Sequence, residues 1–541
     1  SEGEWRGSGG GDVLETGAGS SETYRRMVAE RGENGGEGNS SSSSEDSSED
    51  SSDDYSGDYS EYYSEYYSDN HDDDDDDDDA DAHLSFVDSG VHDRLGRFFV
   101  LSDIHLDLMY QADQPVERFC RNGTIAAMYN ITESLEEACG SEDYPFDDSR
   151  NYDYGRFGCD PPPSLLAATL AAMAEVEPNP AFILLTGDYV GHCQLTWDNM
   201  IDAVENVTGM IELFFPDTLV LPILGNNEVH PHNQLPLGET GILSYYSDVF
   251  SSWLERMGPE EKGNYKAGAY FSASPVPGLR VIGLNSIYYG RKWCPGNFTE
   301  CSKSERTAAQ LTEGDDPVGQ FAWYEQQLAA AEEAGERVLV SSHISPGRAR
   351  GFKALWQDDY QETFLNISLA HHEVIEGMFY GHIHRDAYVM SVYNSDDDDD
   401  DDDDDGEENR LSMYVNSAMS PRSDNFPTFR LVEFDLNSLE LVDYVQYTLD
   451  LIALMDSPDD QPPPLGFEEE YRFSTEYEVG SLSNVANLQL YHHLRNHNSQ
   501  YNTWKHNWAS NSPQVEYDNS KEEFLCSLKS PINAMYDACV G

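Results

Sequence analysis

Positive charge is scarce in this chain. Lys and Arg number 31 against 102 Asp and Glu, a formal net charge of −71 over 541 residues. Phosphate contacts with nucleic acid need clustered Lys and Arg, so a general nucleic-acid or anionic-membrane binder is excluded as a class. A phosphate-bearing substrate is not, because bound cations can supply positive charge locally. No run of about 18 apolar residues occurs, so no membrane span is expected. No cysteine lies in the first 119 residues, so any disulfide framework is confined to the remainder. The chain starts at Ser1 without an apolar targeting segment. A processed precursor and a truncated reading of a gene would both look this way.

The acidity is concentrated. Residues 1–92 hold 28 acids and 4 bases, including the run Asp72 to Asp79, and residues 396–408 hold 12 acids and no base. Low hydrophobicity with high charge cannot build a core. Residues 1–92 are therefore expected to be a disordered acidic, Ser-rich tail, and 396–408 a disordered insertion between two strands. The eight cysteines allow up to four disulfides in 105 full pairings. The short loops Cys294 to Cys301 and Cys526 to Cys539 are the first choice. Six N-x-S/T sequons, at Asn39, Asn122, Asn130, Asn206, Asn297 and Asn366, add support for a secreted or vacuolar-lysosomal glycoprotein.

Between the acidic tracts the pattern is ordered. Short apolar runs read as buried strands at Arg97–Ser102, Ala181–Thr186, Thr218–Leu224, Leu279–Asn285, Arg337–Ser342, Val374–Tyr380 and Leu411–Asn416. Phe429–Asp435 and Leu439–Leu449 follow. Ser164 reads as the N-cap of a helix over Leu165–Val176, and Gln320–Ala334 as an amphipathic helix. Strand–helix alternation that finishes in strands predicts an α/β sandwich over 93–461. A mostly helical, Cys-bearing subdomain is expected over 462–541.

Five short motifs follow those strands: Asp103-Ile-His105, Gly187-Asp188, Gly225-Asn226-Asn227-Glu228, Ser342-His343 and Gly381-His382-Ile-His384. Each places Asp, Asn or His where a strand ends, the usual location of α/β active sites. Singly, each is a common surface or structural accident. Their order along the chain is the signal. Hard oxygens and imidazoles in this number suit a pair of zinc, manganese or iron ions. In Asp103-x-His105 and His382-x-His384 an extended backbone would point both side chains one way. Gly187, Gly225 and Gly381 adjoin them and permit tight turns.

This order resembles the calcineurin-like metallophosphoesterase superfamily, and within it the acid-sphingomyelinase-like phosphodiesterases. The resemblance runs from about Phe98 to Leu449. Besides the motifs above, Gly158-Cys-Asp-Pro161, His192, Leu284-Asn-Ser-Ile-Tyr-Tyr289 and Asp316-Pro-Val-Gly-Gln-Phe-Ala-Trp323 carry it. It implies an αββα sandwich and two divalent ions, with zinc expected. Asp103, His105 and His384 would hold one ion, Asn226, His343 and His382 the other, and Asp188 would bridge them. A solvent-derived hydroxide between the ions would attack phosphorus in line. The tail from Cys526 to Cys539 is similar to that branch's cysteine-bearing helical C-terminus.

One position departs from the pattern. The superfamily usually reads Gly-Asn-His where this chain has Gly225-Asn226-Asn227. An amide cannot act as a general acid, though it can hydrogen-bond a phosphoryl oxygen. His192 is therefore expected to protonate the leaving group, and Asn227 to donate to the oxyanion. Gly-Asn-Asn followed by Pro231-His232-Asn233 also resembles fungal-type endopolyphosphatases, which makes His230 and His232 candidates for substrate contact.

The lipid-cleaving members carry an N-terminal cysteine-rich domain, and residues 1–92 have no cysteine. That favours soluble, nucleotide-like or phosphocholine-type diesters over membrane sphingomyelin. Arg348, Arg350 and Lys353 are candidates to hold distal phosphates. Tyr288, Tyr289 and Trp293 either stack a base or pack beneath a loop. A small phosphorylated substrate and a monomer are expected. Two alternatives stand beside the diesterase: cleavage of phosphoanhydrides, and an inactive acidic cation-binding scaffold.

Overall fold

The computed structural model describes residues 94–114, 119–121, 150–193, 196–230, 232–237, 241–293, 316–348, 353–392, 410–457, 466–515, 520–529 and 531–541. The acidic tail, the insertion at 396–408, the pair Cys294 and Cys301, and Arg350 lie outside the described residues. So do the sequons at Asn39, Asn122, Asn130 and Asn297.

Two six-stranded sheets form the centre. The strands are β1 (Leu95–Leu101), β2 (Ile183–Leu185), β3 (Val220–Pro222), β4 (Phe271–Val276), β5 (Leu279–Gly283) and β6 (Arg337–Ser341). They continue as β7 (Ile375–Tyr380), β8 (Ala387–Val392), β9 (Arg410–Val415), β10 (Thr428–Asp435), β11 (Leu441–Thr448) and β12 (Glu468–Arg472). The first sheet has the order β12-β11-β10-β1-β2-β3 and the second β4-β5-β6-β7-β9-β8. Strands β1, β2 and β3 run parallel in the first sheet, and β5, β6, β7 and β9 in the second.

The continuous apolar runs follow from burial on both faces. In β1, Phe98 meets Phe379 of the opposite sheet at 5.6 Å between ring centroids. Its neighbour Phe99 points the other way, to Phe215 at 6.1 Å. Tyr414 of β9 and Tyr444 of β11 meet across the sheets at 6.3 Å. Burying such an aromatic contributes roughly 1.5–3 kcal/mol.

Helices α1 (Pro163–Val176) and α2 (Trp197–Phe214) pack together, and α1 lies against β10. Helices α3 (Gln320–Ala334) and α4 (Asp358–Ala370) cover the second sheet. The expected αββα sandwich is thus present. Near the C-terminus, α5 (Asn484–Asn496), α6 (Asn498–Trp508), α7 (Lys521–Lys529) and α8 (Asn533–Val540) follow, with α5 and α7 against β8.

The start of α1 differs from expectation. Pro163 is its first residue, no side chain caps it, and the Ser164 hydroxyl donates to the Asp153 carbonyl at 2.5 Å. Proline at the first position brings no N–H, so one orphan donor is already removed. Three strands were not expected. Strands β4, β8 and β12 are all antiparallel edges. Edge strands need no apolar alternation, and Glu468-Glu-Glu470 is the charged composition that protects one.

Candidate metal centre

The five motifs converge where the parallel strands end. Asp103 and His105 follow β1, Asp188 follows β2 and Asn226 follows β3. His343 follows β6, and His382 and His384 follow β7. Both sheets therefore feed one site.

The backbone is not extended there, contrary to the alternation argument. Asp103, His105, Asp188, His382 and His384 all have positive φ, at 49°, 50°, 57°, 76° and 57°. The left-handed region costs such residues roughly 1 kcal/mol or more each, and tertiary bonds must hold them there. The Asp103 N–H donates to the Gly187 carbonyl at 3.1 Å, and the His105 N–H to the Asp188 carbonyl at 2.9 Å. The His382 N–H donates to the Asp103 carboxylate at 3.0 Å. Two glycines make this crowding possible. A Cβ on Gly225 would collide with the Asp188 carboxylate, and one on Gly381 with Ser102 and Asp103.

The side chains form two overlapping groups. In the first, His105 Nε2 and His384 Nε2 face each other at 3.0 Å. Asp103 Oδ1 lies 3.3 Å from His384 Nε2, and Asp188 Oδ2 lies 3.5 Å from His105 Nε2. In the second, His343 Nε2 lies 3.1 Å from both Asp188 Oδ2 and Asn226 Oδ1. Ligand atoms of Asp188, His343 and His382 all lie within 4.8 Å of one another. Asp188 belongs to both groups.

The donor chemistry fits cations. His343 Nδ1 contacts the Thr186 carbonyl at 2.8 Å, and His105 Nδ1 the Val190 carbonyl at 3.1 Å. A ring nitrogen that donates to a carbonyl leaves the other nitrogen free as a ligand. His105 Nε2 and His384 Nε2, at 3.0 Å, need a proton or a cation between them.

The electrostatics agree. Burial would lower the basicity of His105 and His343, but their carboxylate neighbours Asp103 and Asp188 raise both to about 9. Burial would raise Asp103 and Asp188, yet the facing imidazoles leave both below the usual carboxylate range.

Several supporting residues were not assigned from sequence. The buried Glu228 carboxylate accepts the backbone N–H groups of Asp188 (2.9 Å), Tyr189 (2.7 Å), Val190 (3.1 Å) and Gly225 (2.6 Å). Burial, with Asp188 nearby, raises it to about 7. Asp160 accepts the His192 backbone N–H at 2.5 Å and faces its Nδ1 at 3.0 Å. Arg121 pairs with Asp107 at 2.6 Å and donates to the carbonyls of His192 and Cys193 at 2.8 Å. Glu228 closes the Gly225-Asn226-Asn227-Glu228 motif, whereas no spacing rule links Arg121 to any motif. Asp160 stood in a motif carried by resemblance alone.

The remaining candidates are placed as follows. His192 stacks on His105 with centroids 4.1 Å apart, and its ring nitrogens group with those of His105 and His384. Burial lowers it to about 3 against the pull of Asp160, although 24% of its side chain stays open to solvent, which moderates the shift. Asn227 does not face outward. Its backbone N–H and its amide Nδ2 donate to the two oxygens of Asp188, at 2.8 and 2.7 Å. His232 Nε2 lies 2.5 Å from Asn226 Nδ2. His230 is exposed, 6.1 Å from the Trp197 ring.

Arg348 is bound into the C-terminal helices, contacting the Asn533 carbonyl at 3.1 Å and stacking on Tyr536 at 3.7 Å. Tyr288, Tyr289 and Trp293 are buried. Trp293 Nε1 donates to the Leu235 carbonyl at 2.8 Å and Tyr289 stacks on Phe321 at 4.5 Å, so these rings pack beneath a loop. Cys526 pairs with Cys539 as expected. Cys120 pairs with Cys159, a bond not anticipated. Asn206 and Asn366 sit on exposed helix faces. No described helix is long and apolar enough to cross a membrane.

Residues 96–386 match the family model described as calcineurin-like phosphoesterase. The chain belongs to the calcineurin-like phosphoesterase family. It is 29% identical over 410 residues to the acid sphingomyelinase-like phosphodiesterase 3b of Mus musculus, covering 72% of this chain and 77% of that one. It is 29% identical over 338 residues to sphingomyelinase phosphodiesterase D of Dictyostelium discoideum, covering 62% and 70%. It is 26% identical over 372 residues to the cyclic GMP-AMP phosphodiesterase SMPDL3A of Homo sapiens, covering 66% and 71%. These relatives accord with the acid-sphingomyelinase-like branch of the family.

Proposed function

We propose that this chain is a dinuclear metal-dependent phosphoric diester hydrolase. Asp103, His105 and His384 would hold one ion, Asn226, His343 and His382 the other, and Asp188 both. The observation that carries this reading is Asp188, whose carboxylate stands within 3.5 Å of His105 and 3.1 Å of His343. Bound there, two divalent ions, zinc first, would supply an activated water and neutralise charge on the phosphoryl oxygens.

The protein groups do the rest. Glu228 and Asn227 hold Asp188 in place through its backbone and both its oxygens. Asn227 thus acts on the bridge rather than on a phosphoryl oxygen. His192, oriented by Asp160, is the imidazole beside the site that can hand a proton to the leaving oxygen. An anionic phosphoryl group in the cleft favours its charged form. The names of the relatives support phosphodiesters as substrates. The disulfides support an oxidising compartment, secreted or vacuolar.

The test is hydrolysis of bis-p-nitrophenyl phosphate by wild type and Asp188→Ala, with metal content measured on both. Wild type should carry two ions, and the variant should lose about 10³-fold in turnover, several kcal/mol of charge stabilisation. Equal rates in both would favour the acidic scaffold. A second reading, cleavage of phosphoanhydrides, rests on Asn227 and His232 beside Asn226. Tripolyphosphate hydrolysed faster than any diester would favour it.

A further inference from the structure

Asn226 presents two chemically different ends to two neighbours. Its Oδ1 lies 3.1 Å from His343 Nε2, on the side where His343 and Asp188 converge. Its Nδ2 lies 2.5 Å from His232 Nε2. An amide nitrogen can only donate, so His232 Nε2 accepts and the imidazole proton sits on Nδ1. The turn between them is closed by the Asn233 N–H, which donates to the Asn226 carbonyl at 3.1 Å with Asn233 at a φ of 66°. That closure folds His232 back over Asn226.

A carboxamide has nearly the same shape when rotated by half a turn. Rotated, it would aim two N–H donors at a cation instead of a lone pair, and binding would fail. Whatever holds Nδ2 therefore decides which end faces the ion. His105 and His343 are fixed in this way by backbone carbonyls. For Asn226 the fixing partner is a side chain, six residues on.

We propose that His232 is a positioning residue for the second cation, holding the Asn226 amide so that Oδ1 faces His343 and Asp188. The inference rests on the dinuclear reading above. His232 touches no substrate in this role and acts through Asn226. Partners of this outer kind typically change metal affinity by about 10- to 100-fold.

The test compares wild type, His232→Leu and His232→Gln by zinc titration against a competing chelator. Melting of the metal-stripped proteins serves as the fold control. His232 is exposed, so neither substitution should shift that melting. Wild type should take two ions. His232→Leu should bind the second about 10- to 100-fold more weakly, with the first unchanged. His232→Gln should stay within about threefold of wild type, because its Oε1 can accept the same amide N–H. Wild-type affinity for both ions in His232→Leu overturns the proposal. Equal weakening in both variants overturns the acceptor role. A wild type that binds fewer than two ions overturns the dinuclear reading, and the proposal with it.

Discussion

Metal binding to this site should release protons, and the amount follows from the buried imidazoles. Without ions, His105 and His343 keep their protons up to about pH 9, because Asp103 and Asp188 outweigh the effect of burial. A cation bound by Nε2 must displace that proton. At pH 7 the displacement spans about two pH units, roughly 3 kcal/mol for each ion. Each site holds one such histidine, so each ion should release about one proton. Apparent affinity for each should rise about tenfold per pH unit between pH 6 and 8. Calorimetric zinc titration in two buffers of different ionisation enthalpy counts the protons directly.

The same groups set the stability of the stripped protein. Both folded values lie above the ordinary 6.5, so the protonated imidazoles stabilise fully below about pH 6.5. That contribution is lost as pH rises towards 9. The stripped protein should melt lower at pH 9 than at pH 6.5. The loaded protein should gain over the stripped one as pH rises, since tighter binding adds stability by mass action. Zinc affinity that is flat from pH 6 to 8, with no proton released, would refute the assignment of His105 and His343 as ligands.

Three further outcomes are expected. His192→Ala should lower kcat about 10²- to 10⁴-fold on alkyl diesters, which have poor leaving groups, and change p-nitrophenyl esters far less. Equal losses on both would remove its role as an acid. Glu228→Gln should destabilise by about 2–6 kcal/mol in a denaturant titration. The amide oxygen can serve one pair of its four backbone donors and leaves the other pair unpaired. Unchanged stability would show that the carboxylate is dispensable. Replacing Cys120 and Cys159 together by Ser should cost about 2–4 kcal/mol. It should also mimic part of the His192→Ala defect, because Arg121 and Asp160 adjoin the two cysteines and both hold the His192 segment. Full activity on alkyl diesters would refute that link.

The proposed ligands are legible because each sits just past a strand that reads as a continuous apolar run. Burial on both faces of β1, β2, β3, β6 and β7 makes those runs conspicuous, and the ligands follow within four residues. The edges β4 and β12 are only partly buried and leave no such run, whereas β8 is buried from Ala387 to Met390 and does carry an apolar run. The local backbone is not legible either. An alternating D-x-H suggests an extended segment, yet Asp103 and His105 are left-handed. Nothing in the sequence signals that twist, because bonds from Gly187 and Asp188, more than eighty residues away, impose it. Asp160 and Glu228 were missed because their partners are backbone groups and a ring reached only through the fold.

The turn after β3 shows what the change at position 227 entails. Where the superfamily usually has an imidazole, this chain has an amide whose two N–H donors, backbone and side chain, both reach Asp188. A histidine there could free its ring for substrate, whereas Asn227 is spent on the shared carboxylate. An imidazole returns five residues later at His232, but bonded to Asn226. Together with Glu228, the turn directs three side chains at the ligands and their backbone and none at the leaving group. On the proposed reading, proton delivery falls to the other side of the site, where Asp160 orients His192. On this arrangement, restoring the usual residue by Asn227→His should loosen both ions, because it frees the carboxylate they share. It should not restore rate to a His192→Ala enzyme unless the new ring swings clear of Asp188. A double variant with wild-type turnover on alkyl diesters would show that the two imidazole positions are interchangeable, and that the β3 turn is not committed to the metals.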